Sequence, residues 1–193
     1  MNYLWLDLET SGLDPEHRNI LEVAAVLDVD GKAELIEVAD SVITYPEEMF
    51  GPHYGWDPEA WEMHQKSGLL ADMRGPSLVL GLVERMLCEA LDPYPMNTVM
   101  LAGNSIHFDR SFIREDMPRL DGLLHYRHMD VSCLTTFLEG AGLLERDKGP
   151  KPHRAMPDVQ RSIDTFYNYK DNVQQAFGVA AAEEWKPDWK VKP

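Results

Sequence analysis

Hydrophobic positions at the start of the chain run in a strand-like pattern and then break on acids. Residues 3–8, YLWLDL, predict a strand, and residues 20–28, ILEVAAVLD, predict a second one rich in aliphatic and β-branched side chains. Asp30-Gly31 follows as a hairpin signal, so residues 33–43 read as the partner strand. Residues 45–56, crowded with Pro, Gly and aromatics, read as a loop. Asp57-Pro58-Glu59 has the form of a helix start, with Asp57 as N-cap, and it sets Trp61 and His64 on one face. In residues 77–91 the period lengthens. Leu78, Leu82, Met86 and Ala90 recur every four residues and predict an amphipathic helix, stopped by DPYP.

Residues 98–102, TVMLA, predict a buried strand broken at GNS. Residues 107–116 predict a helix with Phe108, Phe112 and Ile113 inward and Pro118 as its stop. YRHMDV, residues 126–131, predicts a short strand, and Ser132 is placed to cap a helix reaching about Glu139. Residues 145–153 are a polar loop, and Pro157 opens a last helix towards Gly178, with room for a break. The expectation is one domain over residues 1–178 and a polar, proline-punctuated tail over 179–193. Strands first joined by a hairpin and later through helices predict an α/β fold. Its sheet is mixed: three antiparallel strands, then parallel ones, flanked by helices.

Composition adds little to this, and charge adds more. A chain of 193 residues with 44% hydrophobic content can bury a single-domain core. No apolar run approaches the roughly 20 residues of a membrane span, and no basic, apolar leader is visible, so a cytoplasmic protein is expected. Cys88 and Cys133 lie in apolar helical patterns and are expected as reduced core residues. The net charge of −15, from 33 acids against 18 bases, argues against broad binding of long DNA or RNA. It leaves room for an enzyme that grips a few nucleotides, with some acids offset by bound divalent cations.

The acids raise a chemical question. Asp7 and Glu9, two apart on a strand, project to the same face. Two carboxylates so close repel, and a hard divalent cation relieves that. Asp109 falls in the first turn of a predicted helix, as does Asp158, where an acid also gains from the helix dipole alone. His153 lies five residues before Asp158, in the loop leading into the last helix. Metal-assisted phosphodiester hydrolysis would use all five, with His153 as general base. Spacing by itself does not single this out. DLET also echoes the nucleophile loop of haloacid dehalogenase-type phosphatases, with Asp7 as nucleophile. A non-catalytic binding protein on an inherited fold is a third reading.

The ordered motifs favour the first. LDLETSGLD (6–14), LAGNSIHFDRSFI (101–113) and HRAMPDVQRSI (153–163) resemble the three motifs of the DEDDh 3′→5′ exonuclease family. More narrowly, AGNSIHFDRSF, MPRL, HYRHMDVS and the SGL at 67–69 resemble those of the oligoribonucleases. The resemblance implies a ribonuclease H-like fold and hydrolysis of short RNA, 2–5 nucleotides, to 5′-mononucleotides by a homodimer. It implies Asp7, Glu9, Asp109 and Asp158 as ligands of two divalent cations, Mg²⁺ or Mn²⁺, with His153 as base. It further implies Leu13 as a wedge between bases, Trp61 or Trp56 as the stacking aromatic, and His64 near the scissile end. Asn104, Ser105, Arg127 and Ser132 would hold the 5′ phosphate, and Tyr126 would reach in from the neighbouring subunit. A proofreading-type DNA exonuclease would share the five central residues. No membrane and no long duplex DNA are expected as partners.

Overall fold

The computed structural model describes residues 2–30, 34–46, 55–144, 149 and 153–176. Among them are five strands: β1 (Asn2–Thr10), β2 (Ile20–Val29), β3 (Glu34–Val42), β4 (Val99–Gly103) and β5 (His128–Asp130). They make one open sheet of order β3-β2-β1-β4-β5. β1 pairs β2, and β2 pairs β3, antiparallel, whereas the β1–β4 and β4–β5 pairs are parallel. This is the mixed sheet that the hairpin and crossover patterns predict. The helices are α1 (Pro58–Ser67), α2 (Leu69–Asp72), α3 (Leu80–Leu91), α4 (His107–Asp116), α5 (Pro118–Leu123), α6 (Val131–Gly140) and α7 (Ala155–Ala176).

The period of two in β1 divides the interior. Leu4, Leu6 and Leu8 point to one core, shared with Val83 and Leu87 of α3, Phe112 and Ile113 of α4 and Leu120 of α5. Tyr3 and Trp5 point to the other, where α7 lays down Ala155, Val159, Ile163 and Tyr167 at intervals of four. Asp7 and Glu9 continue that second row. Each buried apolar side chain of β1 contributes about 1.5–3 kcal/mol, and each ionised carboxylate drawn from water costs several kcal/mol unless paired. The apolar residues therefore hold β1 in place despite its acids. Asp28 of β2 is fully buried and accepts from Trp5 Nε1 and Tyr167 Oη, which ties α7 to the sheet away from those acids.

Several local expectations are corrected. In α3 the inward stripe is Val83, Leu87 and Leu91, with Cys88 beside it, one residue on from Leu82, Met86 and Ala90. Glu84 is buried there because its carboxylate accepts the Arg119 and Leu120 N–H groups at the start of α5. Pro118 stops α4 but also opens α5, where its missing N–H is not needed. Asp130, not Ser132, caps α6, since its carboxylate accepts the Ser132 N–H. Asp57 stands at the N-cap of α1, yet its carboxylate makes no cap bond and turns to the loop after β1. α7 begins at Ala155 and runs unbroken through the described residues, with Pro157 in its first turn. Cys88 is buried as expected, but Cys133 is exposed on α6. Asp30 has the positive φ of a tight turn, 58°. Gly31, the loop at 145–148 and 150–152, and the tail lie outside the described residues. No helix among the described residues is long and apolar enough to cross a membrane.

Candidate active site

The β1–β2 register sets Asp7 opposite Ala24 and Glu9 opposite Glu22. α7 crosses the same face and delivers Asp158 from its first turn. Carboxylate oxygens of Asp7, Glu9 and Asp158 lie within 4.8 Å of one another. Asp109 lies outside that trio, but its charge acts on Asp7. It comes from the first turn of α4, and its Oδ1 accepts the Leu8 N–H at 2.9 Å. The β1–β4 ladder ends at Trp5 and Ala102, so Asp109 takes up a β1 donor just past the last strand pairing.

Burial, first of all, pushes the Asp7 carboxyl well above the usual carboxylate range, and the charges of Asp109, Glu9, Asp158 and Glu22 push it further. Glu9 is raised to about 8 by burial and then by Glu22, Asp158 and Asp109, with Arg154 opposing. Burial also raises Asp109 to about 7 against the hydrogen bond from Leu8. The chemistry of this donor set fits a divalent cation: hard oxygens converge, and each carboxylate opposes ionisation of the next until a positive charge intervenes.

A pH dependence follows. The folded protein holds a proton on Glu9 that the unfolded chain gives up near pH 4.5, and protons on Asp7 and Asp109 that it gives up near pH 3.8. Their contribution to stability is complete below those values and is lost as pH rises through the folded values towards 8. The melting temperature of the metal-free protein should therefore fall over this range, and fall less steeply in Glu9→Gln. Mn²⁺ should raise it more at pH 8 than at pH 5. Equal slopes in the parent and Glu9→Gln would contradict this.

His153 directly precedes α7, half-buried, with φ 50°, a conformation unfavourable for a residue with a side chain. His64 of α1 is fully buried, with its ring beside Glu9. Its Nε2 donates to the Thr10 carbonyl at 2.8 Å, which leaves Nδ1 as a lone pair facing Glu9 Oε2 at 3.8 Å. Burial lowers its pKa, so the ring is neutral at pH 7.

The outer residues fall into three groups. Leu13, 76% exposed, is held by its N–H to Asp57 Oδ2 at 3.2 Å, while Asp57 Oδ1 accepts Arg18 Nε and Nη2. Gly12 leaves room for this contact, because a Cβ there would lie 2.1 Å from Asp57 Oδ2 and displace that carboxylate. Trp61 is half-buried and meets Trp56 edge-on at 5.1 Å, whereas Trp56 is packed with Leu21, Leu69, Leu70 and Met73. Of the two candidates, Trp56 is therefore a core residue. Asn104 is exposed beside a second group, in which Asp130 Oδ1 accepts from Ser105 N, Ser132 N and Ser132 Oγ. Ser105 Oγ in turn donates to Ser132 Oγ at 3.3 Å. Tyr126, 69% exposed, stacks on His125, and the Arg127 guanidinium lies 5.2 Å over its ring. Sequence reading missed Glu22, Asp57, Asp130 and Arg154. Glu22 carried a signal of the same kind as Asp7, an acid inside an otherwise apolar strand.

The family model for exonucleases matches residues 4–166. The oligoribonuclease of Pseudomonas paraeruginosa is 32% identical over 174 residues, covering 89% of this chain and 95% of the relative. The oligoribonuclease of Corynebacterium glutamicum is 36% identical over 172 residues, covering 86% of this chain and 77% of the relative. Among solved structures, E. coli exonuclease I in complex with a dA13 oligonucleotide superposes with a TM-score of 0.63 at 16% identity. That match covers 92% of this chain and 42% of exonuclease I, and it bears on the fold alone.

Proposed function

We propose, for a chain that belongs to the oligoribonuclease family of exonucleases and is on that ground a 3′→5′ exoribonuclease, that its substrates are single-stranded RNAs of two to about five nucleotides. The observation that carries the nuclease reading is the convergence of Asp7, Glu9 and Asp158 within 4.8 Å, with the charge of Asp109 also acting on Asp7. Asp7, Glu9, Asp109 and Asp158 would hold two divalent cations, Mg²⁺ or Mn²⁺, which when bound would polarise water and the scissile phosphate. His153 takes the proton of the attacking water. The bond from phosphorus to the 3′ oxygen breaks. The water oxygen takes its place on phosphorus; the 3′ oxygen, protonated from solvent water, leaves on the shortened RNA as a 3′-hydroxyl, and the released nucleotide keeps its phosphate on the 5′ oxygen.

Leu13 enters between bases and Trp61 offers a face to the 3′ base, a contact of about 1–3 kcal/mol. Asn104, Ser105, Ser132 and Arg127 take the terminal 5′ phosphate, to which the planar Arg fork is suited. Tyr126 reaches into the site of the neighbouring subunit. Leu134, Phe137 and Leu143 are exposed along the same stretch of chain as Tyr126, and a second copy covers them in a homodimer. A protein acting this way on short RNA is placed in the cytoplasm. The acidic net charge agrees with a short substrate held by a few donors rather than a long basic track.

The test is release of mononucleotides from 5′-phosphorylated RNA of graded length, two to twenty nucleotides, with matched DNA. The fastest turnover is expected on dinucleotides of RNA, by a protein that sediments as a dimer. Equal rates on long single-stranded DNA, or full activity of a monomer at high dilution, would overturn the respective parts.

A further inference from the structure

The two halves of the site come from distant parts of the chain, Asp7 and Glu9 on β1, His153 and Asp158 at the head of α7. One ion-pair cluster spans them. Glu22, 3% exposed on β2 and opposite Glu9, accepts Arg154 Nη2 at 2.8 Å and Arg154 Nε at 3.1 Å. Its other oxygen accepts the Ala155 N–H at 2.9 Å. Arg154 Nη1 reaches Asp72 at the end of α2, at 2.8 Å. The Arg154 carbonyl accepts the Asp158 N–H at 3.1 Å.

We infer that Glu22 and Arg154 are positioning residues that set the His153–Asp158 half of the site against the Asp7–Glu9 half. Beside a general base, an arginine invites the role of phosphate ligand. Here all three guanidinium nitrogens face carboxylates, so the side chain is committed within the protein. Its backbone lies between His153, whose positive φ needs external support, and Asp158, whose N–H it binds. Glu22 needs this partner, since a buried carboxylate without one is strongly unfavourable. Arg154 thus partly offsets the charge of a fifth acid beside the cluster and fixes the head of α7 in the same contact.

This inference rests on the proposed nuclease reading, so its test has one arm without catalysis. Arg154→Lys keeps the charge but cannot reach both Glu22 and Asp72 with a planar fork. Glu22→Gln keeps an acceptor for the Ala155 N–H and serves if Arg154→Lys does not fold. With folding confirmed by near-UV circular dichroism, Mn²⁺ affinity by electron paramagnetic resonance should weaken about tenfold. On an RNA dinucleotide, kcat should fall about 10–100-fold with KM within about threefold. A folded variant with parental Mn²⁺ affinity and kcat would overturn the inference, and so would a change confined to KM. Parental protein that binds Mn²⁺ but cleaves no RNA would overturn the nuclease reading instead, and the Mn²⁺ arm would still decide this one.

Discussion

Asp7→Asn is expected to lower turnover of an RNA dinucleotide by more than about a hundredfold and at the same time to raise the melting temperature of the metal-free protein at pH 8. The first effect follows from its place among three converging carboxylates, since loss of a metal ligand removes charge at the reacting phosphate. The second follows from electrostatics. Asp7 is pushed up by burial and by four neighbouring acids, so a neutral amide of the same shape relieves the repulsion that grows as pH rises. Both effects in one variant mark a residue kept for function against stability. Parental Mn²⁺-dependent turnover would refute the ligand role. A lower melting temperature at pH 8 would mean that the carboxylate is held by a hydrogen bond that outweighs the repulsion.

His153→Ala is expected to lower kcat by about 10²–10⁴, the usual contribution of a general base, with Mn²⁺ affinity close to parental. The two variants are therefore separable: Asp7→Asn impairs metal binding and turnover, His153→Ala turnover alone. His153 is half-buried at the edge of the site and ends a loop rather than sitting on the sheet, so truncation should leave the melting temperature nearly unchanged. Unimpaired kcat in His153→Ala would remove the histidine from the chemistry.

Much of the molecule was legible because its signals are local. The period of two in YLWLDL, the Asp30-Gly31 turn and the apolar TVMLA run each depend on neighbours in sequence, and β1, β2 and β4 appear where those patterns put them. The error in the α3 stripe was also local. Leu82 and Val83 are both apolar, and the sheet, not the sequence, selected the face carrying Val83, Leu87 and Leu91. The spacing of His64 from Trp61 sets it on one face of α1, and the packing of α1 against the end of β1 turns that histidine inward, onto Thr10 and Glu9.

By itself the sequence determined the order of the strands and the mixed sheet, since these follow from periodicity and turn chemistry, but not the short helices α2 and α5. Only the tertiary structure decided which acids meet. Asp7, Glu9 and Asp158 converge within 4.8 Å, and Asp109, whose charge also acts on Asp7, is anchored by the Leu8 N–H just past the last β1–β4 pair. It likewise decided that Glu22 belongs with Arg154. A pair separated by 132 residues has no signature in sequence, since the energy that forms it comes from low-dielectric burial, which exists only once the sheet and α7 have closed on each other.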